Sequence, residues 1–245
     1  MHNKKIKGGV AMLALSAVLI GGTFAWLGST DKVTNKFITA SASDSDHGVD
    51  IWEKFTPNST ATPGTAVEKI VQVKNTAKYD SLIRVEMNAA FKKISLDKTN
   101  ITLNKDNVIT EEEITFNEDG TIENGKGNWV EVTENEKTYY YYVGNVVAGG
   151  FTDKILDSVT LSESVKTNPN YLGQEFNVDI DAYSVQSTAE AVTDKTDGKA
   201  QGATGEQLGF GLDATKHENL VKALQAVANG PATSCDKTYG TSATE

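Results

Sequence analysis

The chain is short of the residues that usually staple small secreted folds or build catalytic centres. Its 245 residues include one cysteine, Cys235, so no disulfide can form within it, and the domain must hold together by packing or by pairing with its neighbours. Histidine is scarce: only His2, His47 and His217 are present. They do not supply the spacing of a hydrolytic zinc site, such as two histidines one helical turn apart with a glutamate between them. Cys235 stands in a polar stretch with no nearby histidine, so it reads as incidental or as an occasional intermolecular disulfide rather than a nucleophile. No phosphate-cradling loop occurs either, because the glycines Gly205, Gly209 and Gly211 lack both a lysine and a preceding strand. The chain is therefore expected not to be an enzyme and to need no cofactor.

Positive charge is also limited. Twenty-three Lys and Arg oppose 33 Asp and Glu, for a net charge of −10. Setting aside Lys4, Lys5 and Lys7 of the N-terminal segment takes the remainder to −13. That balance argues against nucleic acid and anionic lipid surfaces as partners.

What is present begins with a leader. Basic residues precede an apolar run from Val10 to Ile20, Gly21-Gly22 breaks any helix, and Thr23-Phe24-Ala25 ends in a small residue. The run is too short for the roughly 30 Å hydrocarbon core, so residues 1–25 are expected to be a signal peptide cut between Ala25 and Trp26, leaving no retained span. No cysteine follows the run for lipid attachment, and no sorting signal closes the chain. The product is expected to be secreted, then released or held at the cell surface by protein contacts.

Period-two alternation dominates from Val33 to Val185, the pattern of strands with one buried face. Ile83, Val85, Met87 and Ala89 oppose Leu82, Arg84, Glu86 and Asn88, and Phe176, Val178, Ile180 and Ala182 repeat the scheme. Further strands are expected at 33–40, 49–55, 66–75, 129–132, 137–143 and 154–161, separated by turn-rich segments. Short strands without helical interludes indicate an all-β sandwich, for which a jelly roll and an immunoglobulin-like order both fit. The domain is expected over 33–192, with a polar insertion over about 92–127. Residues 193–245 read as a tail carrying one helix at about 216–229, where Leu220, Leu224 and Val227 share a face before Gly230-Pro231. That helix either docks on the sandwich or contacts another subunit.

Three smaller features bear on chemistry. Asp44, Asp46, His47 and Asp50 form a local cluster that reads as an ordinary turn or a weak divalent-metal site, without the glycine and final glutamate of a calcium loop. Tyr139 to Tyr142 in a strand would face alternate sides, leaving an outer pair to a polar surface or to an adhesive one. Packed sandwiches of surface fibres also sometimes join a Lys to an Asn or Asp by an amide bond, a pairing that sequence alone does not locate.

Three motifs in order resemble the TasA/camelysin family of secreted biofilm matrix proteins, which a dedicated signal peptidase exports. They are Gly21-Gly22-Thr23-Phe24-Ala25-Trp26 with Val33 and Phe37 after it, and Val49-Asp50-Ile51-Trp52-Glu53-Lys54-Phe55 leading through Pro63-Gly64 to Asn75. The third is Leu82-Ile83-Arg84-Val85, followed by the tyrosines and Leu156-Asp157-Ser158-Val159. The likeness covers roughly residues 1–192. It implies a jelly-roll sandwich, a homopolymeric extracellular fibre or pilus of a Gram-positive biofilm, and accessory or anchoring subunits. It also implies assembly by donor-strand complementation, the donor here being Trp26, Leu27, Gly28, Ser29, Thr30, Asp31, Lys32 and Val33. Camelysin-type members are described as metalloproteases, but this chain has no zinc motif to carry that activity. A secreted protease and a monomeric adhesin remain the competing expectations.

Overall fold

The structure, a computed structural model, describes residues 28–35 by their backbone, and residues 48–56, 59–193 and 209–243 in full. The leader, Ala25, Trp26, Leu27, Asp44, Asp46 and His47 lie outside the described residues. The expected all-β class is what the chain forms, with a few short helices added. Its strands are β1 (Gly28–Asn35), β2 (Val49–Phe55), β3 (Ala66–Asn75), β4 (Ser81–Phe91), β5 (Ile101–Lys105), β6 (Val108–Ile109) and β7 (Thr115–Phe116). They continue with β8 (Ile122–Asn124), β9 (Trp129–Glu134), β10 (Lys137–Tyr142), β11 (Leu156–Leu161), β12 (Phe176–Gln186) and β13 (Thr241–Ser242). Two helices follow β12, namely α1 (Ala189–Thr193) and α2 (Glu218–Ala228).

One sheet runs β1-β12-β4-β10-β9-β6, the other β13-β2-β3-β11-β5, and β7-β8 form a separate hairpin. Among the described strands every pairing is antiparallel except β6 with β9. The longest ladder, β4 with β12, runs from Phe91 opposite Phe176 to Ser81 opposite Gln186. Alternation explains it: Ile83, Val85 and Met87 of β4 and Val178, Ile180 and Ala182 of β12 enter one core against Val49, Ile51, Val71 and Val73 of the facing sheet. The β9-β10 hairpin turns at Asn135 and Glu136, both with positive φ, the backbone of a tight two-residue turn.

Part of the outer face of the six-stranded sheet is covered rather than solvated. Leu82, Val130, Val132, Tyr141, Val143 and Val185 form a second core with Phe210 and Leu212 and with Leu220, Val221 and Leu224 of α2. At roughly 1.5–3 kcal/mol for each large apolar side chain buried, this layer is a major part of the fold. The C-terminal helix thus docks on its own sheet, and the stretch read as a tail is a structural layer. Its largely polar composition hid that, because the apolar residues are concentrated in α2 and the segment before it.

The expected insertion over 92–127 also divides differently. Strand β5 is an edge of the second sheet, paired with β11, and β6 extends the first sheet beside β9. Only the β7-β8 hairpin stands apart, and Ile114, Phe116 and Ile122 return it to the second core. Lys222 of α2 lies over the Phe116 ring at 4.0 Å. Polar composition here reflects strands with one face in solvent rather than an excursion from the sandwich. No described helix is long and apolar enough to cross a membrane.

Candidate assembly surface

One flank of the sandwich is closed by both ends of the described chain. Strand β1 is the edge of the first sheet, and its register on β12 runs from Gly28 opposite Val185 to Asn35 opposite Val178. The strand expected over 33–40 therefore begins earlier, and most of the expected donor segment pairs within its own chain. Local sequence concealed this partner because β12 lies far along the chain. The register sets Ser29, Asp31, Val33 and Asn35 opposite the inward positions Ser184, Ala182, Ile180 and Val178. The antiparallel ladder joins the two strands through main-chain hydrogen bonds over the whole length of β1.

Beyond Val178 the two sheets part into an apolar cleft lined by Phe55, Ala61, Val67, Val159, Phe176 and Val178. A charge pair stands in its wall. Lys69 Nζ donates to Glu53 Oε1 at 2.8 Å, with side chains only 3% and 8% exposed. Burial lowers the Lys69 pKa, and the Glu53 charge and hydrogen bond oppose that shift. The ammonium also sits 4.7 Å from the centre of the Phe55 ring.

The edge of the second sheet is closed by the chain's other end. Thr241 and Ser242 pair with Glu53 and Trp52, and Ala243 N donates to Ile51 O. Gly240 makes this approach feasible: its φ is +68, and a Cβ there would lie 1.9 Å from Glu53 O. Upstream, Gln72 Nε2 donates to Lys237 O, Tyr239 N donates to Gln72 Oε1, and Cys235 N donates to Phe151 O. Cys235 is accordingly half-buried and tied to the sandwich, not part of a loose tail. Burial leads the upward shift of its thiol pKa.

The chain matches no family model, no curated protein and no solved structure. The surface must therefore be read from its own geometry.

Asp50 is the one member of the expected metal cluster among the described residues, and both its oxygens are engaged. Oδ2 accepts from Trp52 Nε1 at 2.8 Å and Oδ1 from Ser242 Oγ at 2.9 Å, so Asp50 fastens β13 to β2. Among the described residues no group of three or more His, Cys, Asp or Glu is arranged to hold a metal.

The four tyrosines alternate as expected, but the outer pair does not form a free surface. Tyr140 and Tyr142 enter the inter-sheet core, while Tyr141 is buried beneath Phe210 with ring centres 5.3 Å apart. Tyr139 and Tyr183 flank the buried guanidinium of Arg84 at 4.6 and 4.8 Å. Burial and a hydrogen bond from Tyr142 OH to Asp153 at 2.7 Å push the Tyr142 pKa far up.

Sequence reading passed over His217 as a functional group. Its ring joins two elements distant in sequence, Nδ1 meeting Glu111 at 3.0 Å and Nε2 meeting Glu134 at 3.1 Å. Glu111 also accepts from Leu220 N, so it receives the first turn of α2. No local motif could have shown this arrangement, because the partners lie 106 and 83 positions away.

Proposed function

We propose that this protein is a secreted structural subunit of an extracellular biofilm fibre or pilus, and that copies join by exchanging β1. The observation that carries the reading is the placement of Gly28–Asn35: an N-terminal edge strand of largely polar composition, paired along β12, whose inward positions Phe176, Val178, Ile180 and Ala182 are apolar. An element held by ladder hydrogen bonds can make the same bonds to the β12 of a second copy. Residues 36–47 separate β1 from Gly48, and a fully extended chain of that length spans on the order of 40 Å. That reach is enough to pass from one sandwich to the flank of the next. In this reading the pairing within one chain is the self-capped subunit, and the pairing between chains is the polymer.

The leader completes the proposal. Cleavage after Ala25 by a dedicated signal peptidase frees the end of the exchanging strand, so export and assembly share a step. The order of motifs resembling the TasA/camelysin family supports the same reading, including a jelly-roll order of strands and accessory or anchoring subunits. An adhesive role for the tyrosines is disfavoured because Tyr140, Tyr141 and Tyr142 are buried.

Negative-stain microscopy of protein beginning at Trp26, beside protein beginning at Lys36, tests the exchange. Filaments are expected only from the longer form, and a peptide covering 26–35 is expected to bind the shorter one and cap its exposed edge. Filaments from both forms would sink assembly through β1.

A further inference from the structure

The charge pair inside the sandwich stands where period-two alternation calls for apolar residues. On β2, Val49 and Ile51 enter the core, and Glu53 and Phe55 follow on the same face. On β3, Val67, Val71 and Val73 face inward, and Lys69 shares their parity. Register places Glu53 opposite Val71 and Lys69 opposite Phe55, so the two side chains meet diagonally across the ladder at 2.8 Å. Two opposite charges taken out of water this way lose more solvation than an exposed pair and rarely improve on an apolar pair of the same size.

The same two strands supply a comparison. Lys54 and Glu68 approach to 2.9 Å on the solvent side, with both side chains 56% exposed. Geometry and chemistry are alike in the two pairs; only the surroundings differ. Water stabilises the outer pair as ions. The inner pair faces Phe55, Val67, Phe176 and Val178, where neutral groups are favoured.

We propose that Lys69 and Glu53 condense to an amide, a covalent crosslink between β2 and β3. A proton first passes from the Lys69 ammonium to the Glu53 carboxylate, which leaves an amine and a carboxylic acid already in contact. The Nζ lone pair then adds to Cδ, forming the new C–N bond. One Nζ proton transfers to the acid's hydroxyl oxygen, the C–O bond breaks, and water leaves through the cleft. No oxidant, reductant or further reactant is required. Fixed proximity replaces the activation that free acids and amines need, since effective molarities for well-oriented groups reach about 10⁵–10⁸ M. The product exchanges two buried charges for one neutral amide, and the apolar walls keep back the water that hydrolysis would use. The crosslink does not rest on fibre assembly and would form in a monomer.

Mass spectrometry of the denatured full chain, after its N-terminal residue has been identified, tests the bond. The intact mass is expected to fall one water molecule below that of the sequence. Trypsin is expected to skip Lys69, leaving a branched peptide that joins the Glu53 and Lys69 segments, while Lys54 and Glu68 remain unlinked. Lys69→Arg, which keeps the charge but removes the nucleophilic amine, is expected to restore the full mass. Linear peptides cut after Lys69 at full mass would overturn the proposal, whether or not the Arg variant folds. A water deficit localised instead to Asp119-Gly120, where a cyclic imide could form, would also overturn it.

Discussion

His217 shows how much a single ring can decide. A carboxylate only accepts hydrogen bonds, so contacts from Nδ1 to Glu111 and from Nε2 to Glu134 are both satisfied only when the ring carries two protons. Burial works against that charge, but the hydrogen bonds and charges of Glu111 and Glu134 outweigh it and raise the pKa above its usual value. Glu112, Glu113 and Glu131 line the same groove, with Lys105 as the opposing cation. Because the folded pKa is raised, the stabilisation is full below the unfolded value near 6.5 and disappears as pH rises through the folded value. Urea unfolding of the wild type and of His217→Gln, measured from pH 5 to pH 9, should show the difference. The wild type is expected to lead by about 1–2 kcal/mol at the acid end, with the gap closing at the alkaline end. A gap independent of pH would refute the charged bridge. Inward residues such as Ile83 and Ile180 were legible from alternation, whereas this bridge was not, because it depends on folding that brings Glu111, Glu134 and His217 together.

At the scale of elements, strand recognition was most successful where one face was apolar. The ranges expected at 49–55 and 66–75 coincide with β2 and β3, and the alternating segments at Ile83 and Phe176 grow into β4 and β12. Alternation was less informative for β1, whose Gly-Ser-Thr-Asp-Lys-Val-Thr-Asn sequence has little apolar content, and for the two-residue β6. Both are recruited by the edge they join: β12 and β9 offer ladders that need a partner. The exchange proposed for β1 can be trapped at that register. Lys32 lies opposite Asp181, so Lys32→Cys and Asp181→Cys in a Cys235→Ser background place two thiols across the ladder. Oxidation of assembled protein is expected to give a series of covalent oligomers on denaturing gels, and oxidation of dilute monomer an intramolecular bond. Intramolecular bonds alone in assembled filaments would show that β1 never leaves its own subunit.

The whole molecule has three layers where sequence suggested two, and the third comes from the stretch that looked most expendable. Its pattern was visible in α2, where Leu220, Leu224 and Val227 share a face, but the surface receiving that face was not. The corresponding signal lay in strands apolar on both sides, such as Trp129-Val130 in β9 and Tyr140-Tyr141-Tyr142 in β10. A strand buried on both faces cannot belong to a two-layer sandwich with one solvated side, so these runs already required a cover. The C-terminal segment supplies it and then crosses the flank to cap β2 through β13. Removing residues 194–245 would strip the second core around Leu82, Val130, Tyr141, Val143 and Val185 of Phe210, Leu212 and the apolar face of α2, and open the β2 edge together. Each large apolar group returned to water costs roughly 1.5–3 kcal/mol, and the combined loss is comparable to the roughly 5–15 kcal/mol that holds a typical domain folded. The shortened chain is therefore expected to bind a hydrophobic dye, lose its cooperative thermal transition and associate irregularly. A soluble shortened chain with an unchanged melting transition and no dye binding would show that the sandwich stands without its third layer. The exposed edge also distinguishes disordered association from exchange through β1: deleting residues 26–35 should abolish ordered filaments but leave the irregular association of the shortened chain intact.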